Sequence, residues 1–369
     1  MSNADKSSKF VMLDGLRGFA ALAVMIFHFH FKPELSGGWN PFQAGALAVD
    51  FFFVLSGFVI AHAYERRFST GMSTGQFTGA RLIRLAPMYI FGTALTIACE
   101  AALRWKHYYL HPNPPQVFIT DALLGLLGIP ILKLSMPYYP FNTPAWSLIF
   151  ELIGNVVYRL FFKYLSTLVV GGLVFLSYLA TYIRFQTVDN PVGIAYLAPD
   201  LVRITYGFFA GVLVYRIWSA SSFRPAAPAW LLVVALLLFL VDKRATHLVV
   251  ALFPVLVYFG ACAQFTPRMG RWFAILGELS FGIYMIHFAI IRVAVVMVDR
   301  FHGASAPDWW PFAALATTLG VIFLAFVSYH IYDVPLRSWL TRLLRRPSKL
   351  SVEQGLTRTA AEPLAGGRS

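Results

Sequence analysis

The sequence has little cysteine, little charge and little acid. Its two cysteines, Cys99 and Cys262, lie inside apolar runs and far apart among 369 residues. That leaves no disulfide framework and no zinc-ligand spacing, and compartment cannot be read from them. Charged residues make up 13% of the chain, against roughly 25% in a soluble protein. Hydrophobic residues make up 58% and aromatics 16%, and the mean hydropathy is +0.65. A soluble globule of this length could not cover so much apolar surface, and a disordered tail protein or a stapled secreted domain is excluded with it. No H-E-x-x-H, C-x-x-C, Walker or G-x-G-x-x-G pattern occurs, so neither a metal nor a nucleotide-fold cofactor is indicated. Acidic residues number 17 against 30 Lys and Arg, giving a net charge of +13. That excess resembles a nucleic-acid footprint until its placement is read. The basic residues cluster in short stretches between apolar runs, as membrane orientation requires, so nucleic acid is not expected as a partner.

What fills the chain is a series of apolar stretches long enough to cross a hydrocarbon core of about 30 Å. They predict an all-α, polytopic membrane bundle of about ten transmembrane helices. The spans fall near 11–31, 45–64, 83–103, 145–163, 166–183, 201–218, 227–241, 245–264, 273–298 and 312–333. The seventh is the weakest, its strongly apolar core being only Trp230 to Val241. An eleventh stretch, Phe118 to Leu134, is broken by Gly125, Gly128 and Pro130. Ten spans put roughly two thirds of the Lys and Arg on the side that holds both termini, whereas eleven reverse the later loops and put the majority outside. Ten spans with both termini cytoplasmic are therefore expected. Residues 1–10 become a cytoplasmic segment and 11–340 the membrane domain, with an external loop at 104–144 carrying a short re-entrant or surface helix. Residues 341–369, polar and Gly-rich, become a solvated cytoplasmic tail. The first run lacks a small-residue cleavage site after it and reads as a retained helix. There is no internal repeat.

Ionisable residues inside spans are costly in hydrocarbon, and each is a functional candidate by default. In the first span Asp14, Arg17 and His28 share one face: at 100° per residue, Arg17 and His28 are offset by about 20° and Asp14 and His28 by about 40°. His30 points about 200° away and reads as interfacial. His28 lies roughly 16 Å above Arg17 along the axis, so the two mark a polar track into the membrane. A core histidine satisfied by another helix, and an i,i+3 ion pair at a helix end, are the plain alternatives. Asp50 stands at the outer end of the second span, followed by Ser56 and Gly57; Ser56 is either a nucleophile or half of a small pair that lets helices approach. Arg81 and Arg84 open the third span, where they serve orientation or grip phosphates with two forks one turn apart. Glu151, Asn155 and Tyr158 share a face of the fourth span, a lone carboxylate there being neutral, paired or at work as acid, base or orienter. In the ninth, Tyr284 and His287 are one turn apart. Asp333 and Arg337 mark the cytoplasmic boundary of the last span. Trp105, His107, Tyr108, Tyr109, Tyr138 and Tyr139 in the long loop form an aromatic belt or a platform for sugar rings.

LDGLRGFAALAVMIFHF, VDFFFVLSGFVI, RLIRLAPMYI, PAWSLIFE, LSFGIYMIHF and YDVPLR, in that order over residues 11–340, resemble the acyltransferase-3 family of bacterial integral-membrane acyltransferases. The resemblance implies that His28 is the essential membrane histidine, Arg17 its partner, and Arg81 with Arg84 the cytoplasmic arginine pair. Two departures stand out: Leu152 occupies the second of two usually acidic positions after the WSL motif, and Asp333 replaces a glutamate. Many relatives carry an appended extracellular hydrolase-like domain, which this chain is too short to contain.

The resemblance implies transfer of an acyl group, commonly acetyl, from cytoplasmic acyl-CoA to a hydroxyl of a cell-envelope or exported carbohydrate or lipid-linked sugar, in the bacterial inner membrane. Catalytic roles then fall to His28 as general base, Arg17, Asp14 and Glu151; donor binding to Arg81 and Arg84; and substrate contacts to Tyr284, His287 and Ser56. No metal is needed, since thioester cleavage drives the reaction. The competing classes are a proton-coupled secondary transporter or flippase and a scaffold subunit. The first is opposed by the absence of a repeated half, the second by the density of intramembrane ionisable groups.

Overall fold

The computed structural model describes residues 10–29, 38, 40–108, 114–133, 137–185 and 193–345. Residues 1–9, His30, Tyr109 and 346–369, all assigned places above, lie outside the described residues. Among the described residues there is no β-sheet, and the chain forms an all-α membrane bundle. Its helices are α1 Val11–His28, α2 Ala48–Ser69, α3 Thr74–Trp105, α4 Pro115–Leu126, α5 Trp146–Phe161, α6 Thr167–Ala180, α7 Leu197–Ala220, α8 Ala229–Phe239, α9 Thr246–Cys262, α10 Pro267–His302, α11 Ala306–Ser328 and α12 Val334–Arg345. Eight of these, with their short 3-10 extensions, are long and apolar enough to cross a membrane: α1, α2, α3, α5, α7, α9, α10 and α11. The fifth and seventh predicted spans correspond to the shorter apolar helices α6 and α8, and the rejected eleventh stretch overlaps the 12-residue α4, which starts three residues before it.

Local chemistry explains where the long helices start. Ser73 accepts a hydrogen bond from Gln76 N while the Gln76 side chain accepts one from Ser73 N, a reciprocal capping box that starts α3 nine residues before the predicted span. Thr266 caps α10 through Met269 N, and Pro267 occupies its first turn, where a missing N–H costs nothing. At 36 residues α10 extends about 54 Å, well beyond the hydrocarbon thickness. It is the central post of the bundle, touching α1, α3 and α11.

Glycines on both helices set how closely α2, which carries Ser56, approaches α7. A Cβ on Gly57 of α2 would lie 1.9 Å from the Phe208 carbonyl oxygen of α7, and one on Gly211 would lie 2.0 Å from Val54 O. Backbone therefore rests on backbone, with Gly207 and Gly211 on α7 forming a small-xxx-small pair. The packing reading of the Ser56–Gly57 dipeptide holds for Gly57. The described residues of the 104–144 stretch pack on the bundle and on one another: the Tyr89 hydroxyl of α3 donates to Gly125 O of α4, and Tyr139 donates to Gly128 O at 2.9 Å. At the far end α12 runs to Arg345, five residues past the expected boundary at 340.

Candidate active site

Two polar groups lie along the α1 stripe. The first is a charged cluster at the arginine-rich end. Arg17 pairs with Asp14 at 3.0 Å on α1, and reaches α10 through Nε to Ser280 Oγ at 2.9 Å and Nη2 to Gly277 O at 2.8 Å. Glu151 Oε1, on α5, accepts from both Ser56 Oγ of α2 at 2.7 Å and Arg81 Nη2 of α3 at 2.6 Å. One carboxylate oxygen thus ties three helices together. Arg84, one turn beyond Arg81, lies within electrostatic reach of Arg17, Arg81, Arg337 and Glu151. Arg337 itself pairs with Asp333 at 2.7 Å. Among the described residues Arg84 has no acidic partner within salt-bridge distance, so the cluster carries one more cation than its carboxylates neutralise.

The second group surrounds His28, about 16 Å along α1 from Arg17. His28 Nδ1 is 2.8 Å from Val24 O, one turn back on its own helix. His287 Nδ1 is likewise 3.0 Å from Ile283 O, and its Nε2 is 3.3 Å from His28 Nδ1. A carbonyl oxygen can only accept, so each Nδ1 carries the proton in the neutral rings. His28 Nδ1–H faces the Val24 carbonyl and the His287 Nε2 lone pair together. His28 Nε2 is then left as a lone pair. His287 is fully buried, whereas His28 is half-buried, so its free edge is reachable. Tyr284, 5.9 Å from His287 between ring centroids, is fixed by Ser147 Oγ at 2.9 Å and Pro144 O at 3.0 Å.

The nine residues singled out in the sequence therefore fall into these two groups: Asp14, Arg17, Ser56, Arg81, Arg84 and Glu151 in the first, and His28, Tyr284 and His287 in the second. Ser56 is held as a donor by Glu151, and among the described residues no imidazole is hydrogen-bonded to it as an activating base. Sequence reasoning missed Ser280 and Ser147. A signal for both exists: Gly277, Ser280, Tyr284 and His287 fall on one face of α10, and Ser147 precedes Glu151 by one turn on α5. Asn155 and Tyr158 share the Glu151 face but not its site, since Tyr158 donates to Glu65 Oε1 at 2.5 Å and Arg216 pairs with Glu65 at 2.8 Å. No group of three or more His, Cys, Asp or Glu side chains capable of holding a metal occurs among the described residues.

A family model described as an acyltransferase domain, acyltransferase-3, matches residues 10–327. The chain belongs to the acyltransferase-3 family. Protein 2 in the picA locus of Rhizobium radiobacter is 38% identical over 160 residues, which cover 41% of this chain and 81% of that protein. The exopolysaccharide production protein ExoZ of Rhizobium meliloti is 27% identical over 352 residues, 92% of this chain and all of its own length. The peptidoglycan O-acetyltransferase OatA of Listeria monocytogenes is 23% identical over 90% of this chain, which spans 56% of OatA. No solved structure matches the chain. Family membership together with the helical bundle makes it a multi-pass membrane acyltransferase and favours that class over the carrier.

Proposed function

We propose that this acyltransferase-3 protein moves an acyl group, acetyl first among the candidates, from cytoplasmic acyl-CoA to a hydroxyl of a cell-envelope or exported carbohydrate, with His28 as general base. The observation that carries the reading is the His28–His287 contact, which leaves His28 Nε2 as an accessible lone pair deep in the bundle. Relatives named for exopolysaccharide production and peptidoglycan O-acetylation support a carbohydrate hydroxyl as acceptor. The distribution of Lys and Arg supports an arginine-rich end that faces the cytoplasm of a bacterium, with both termini on that side.

In the proposed step His28 Nε2 takes the proton of the acceptor hydroxyl as its oxygen attacks the thioester carbonyl carbon. The tetrahedral species collapses by breaking the C–S bond, and the CoA thiolate leaves, recovering the proton from His28. The imidazolium formed in between is steadied on its Nδ1–H by Val24 O and by the neutral His287, which also holds the ring orientation. His287 is thus a positioning residue in this reading, rather than the substrate contact first expected. Arg81 and Arg84 receive the CoA phosphates, Arg17 and Asp14 line the way between the two groups, and Glu151 orients Arg81. An acyl group carried briefly on His28 Nε2 uses the same lone pair.

The test is transfer from labelled acetyl-CoA to an envelope-carbohydrate extract by the purified protein in lipid discs. His28→Ala should lower transfer by about 10²–10⁴-fold with its thermal unfolding unchanged. Transfer that persists in a folded His28→Ala protein overturns the assignment.

A further inference from the structure

Among the described residues five carboxylates are buried, those of Asp50, Glu100, Asp121, Asp200 and Asp333. Asp50, Glu100 and Asp333 each pair with an arginine, at 2.7, 3.0 and 2.7 Å, and Asp121 faces Lys133 at 4.0 Å. Asp200 is the exception. It lies in the first turn of α7, is 1% exposed, and accepts a hydrogen bond at neither oxygen. Arg203, one turn on, gives its Nε and Nη2 to Asp50 instead. Beside Asp200 stands the hydroxyl of Tyr138, from the stretch between α4 and α5, 2% exposed and likewise without a hydrogen bond. A buried carboxylate without donors is costly, and folded proteins seldom keep one unless something outside the chain supplies them.

This cluster lies at the end of the bundle away from the arginines. Asp50, Trp146 and Asp200 are in the first turns of α2, α5 and α7. The other ends of the same helices meet beside the start of α3, where Arg159 donates to Met72 O and Arg216 pairs with Glu65. The Trp146 ring lies 5.5 Å from the Arg203 guanidinium carbon and 5.6 Å from Phe150, and Phe150 lies 5.7 Å from Tyr138. Four pieces of chain therefore close around two polar groups whose hydrogen-bonding capacity is unused. The histidine pair is reached through Tyr284, one turn before His287. Ser147, next to Trp146, is 2.9 Å from the Tyr284 hydroxyl, and Phe52, two residues past Asp50, is 5.6 Å from the Tyr284 ring.

A carboxylate can only accept, so its ligand must bring O–H or N–H groups. Two neighbouring hydroxyls of a sugar ring give one hydrogen bond to each oxygen, and aromatic walls suit the apolar face of the ring. A cation would also satisfy Asp200, but it would meet the Arg203 guanidinium at the same place. We propose that Asp200 and Tyr138 form an acceptor subsite that binds a pair of neighbouring hydroxyls of the carbohydrate, apart from the hydroxyl that reacts at His28. This rests on the transfer reading above and gives it residues for acceptor recognition. The cover over Asp200 is Tyr138 itself, which belongs to a connection rather than to a bundle helix. Its backbone oxygen accepts from Ile131 N at 2.9 Å while its hydroxyl holds nothing, so an entering sugar displaces no side-chain hydrogen bond there.

The deciding measurement titrates the envelope-carbohydrate extract at saturating acetyl-CoA for the wild type, Asp200→Asn and Tyr138→Phe in lipid discs. Asparagine keeps the shape and one acceptor oxygen but not the charge. The extract concentration at half-maximal transfer should rise about tenfold, the fold-change for one lost charge-assisted hydrogen bond. Tyr138→Phe should raise it about threefold. The KM for acetyl-CoA and the maximal rate should stay unchanged, and the unfolding temperature should not fall. A lower unfolding temperature with the half-maximal concentration unmoved, an equal rise in the acetyl-CoA KM, or no change at all, which would mean that the bare oxygens hold only water, overturns the subsite. Saturation-transfer NMR with the extract alone needs no donor and separates the two levels of the argument. A carbohydrate signal that Asp200→Asn weakens supports the subsite whichever acyl donor is used, and an equal signal from both proteins overturns it while transfer stands. A wild type that transfers acetyl yet gives no carbohydrate signal overturns the subsite alone, and one that does neither overturns the transfer reading and the subsite with it.

Discussion

The molecule holds ion pairs of one chemistry in two settings. Near the start of α2 and the end of α3, Asp50 takes both Arg203 Nε at 3.1 Å and Nη2 at 2.7 Å, and Glu100 takes Arg292 at 3.0 Å. These side chains are 2–6% exposed. At the arginine-rich end the Arg17–Asp14 pair is 28% and 32% exposed, and Glu151 beside Arg81 is 21% exposed. The closed pairs join helices and are shut off from solvent; the open pairs are partly exposed and, under the function proposed above, line the donor's route. Distance alone does not separate them, because all are good salt bridges. Access does, and in the proposed reading it goes with a scaffold role for the first set and a chemical one for the second. Arg203 also lies 5.5 Å from the Trp146 ring centroid, a cation–π contact that tightens the scaffold set. Tyr138 beside it, in the loop ahead of α5, has its hydroxyl pushed up to about 12, first by burial and then by the neighbouring Asp200 carboxylate.

The contrast can be broken most directly at Asp50. Asp50→Ala removes the carboxylate that takes two Arg203 nitrogens in the bundle and should cost about 3–5 kcal/mol of stability, read as thermal unfolding in detergent. Replacing both partners, Asp50→Leu with Arg203→Met, should restore most of that loss, since the pair is worth little beyond its own desolvation. If the double variant regains its fold and transfers nothing, the closed set is not merely scaffold and the comparison fails.

Glu151→Gln sharpens it from the other side. The amide oxygen can still accept from Ser56 and Arg81, but the charge that orients Arg81 is gone. Transfer should fall by about 10–100-fold, the worth of roughly 1.5–3 kcal/mol for a hydrogen bond to a charged group, while the unfolding temperature moves little. An unfolding shift as large as that of Asp50→Ala would place Glu151 with the scaffold.

Ser280→Ala should have the smallest effect. Arg17 keeps Asp14 and Gly277 O, so loss of one neutral partner is expected to lower transfer by about two- to tenfold, or 0.5–1.5 kcal/mol. Steady-state rates at saturating donor measure it. A loss as large as that of His28→Ala would mean that Ser280, rather than Glu151, holds the critical arginine.

Much of this was written in the chain. Apolar run length and the scarcity of charge determine a helical membrane bundle, because only closed hydrogen-bond patterns survive in hydrocarbon. The 100° step of an α-helix puts Asp14, Arg17 and His28 on one stripe, since periodicity acts within a single helix. The order of six motifs identifies the family. What the chain could not settle was which helices meet. That Arg17 and Ser280, separated by 263 residues, share a hydrogen bond, that Glu151 closes on Ser56 and Arg81 together, and that His287 meets His28 depend on how α1, α2, α3 and α5 cross one another and α10. Close glycine contacts at Gly18 and Gly277 set the crossing of α1 and α10, and those at Gly57 and Gly211 the crossing of α2 and α7; a local pattern marks them only as small residues. Which ion pairs are closed and which are open was decided by the same packing, because exposure belongs to the assembled bundle and to no residue alone.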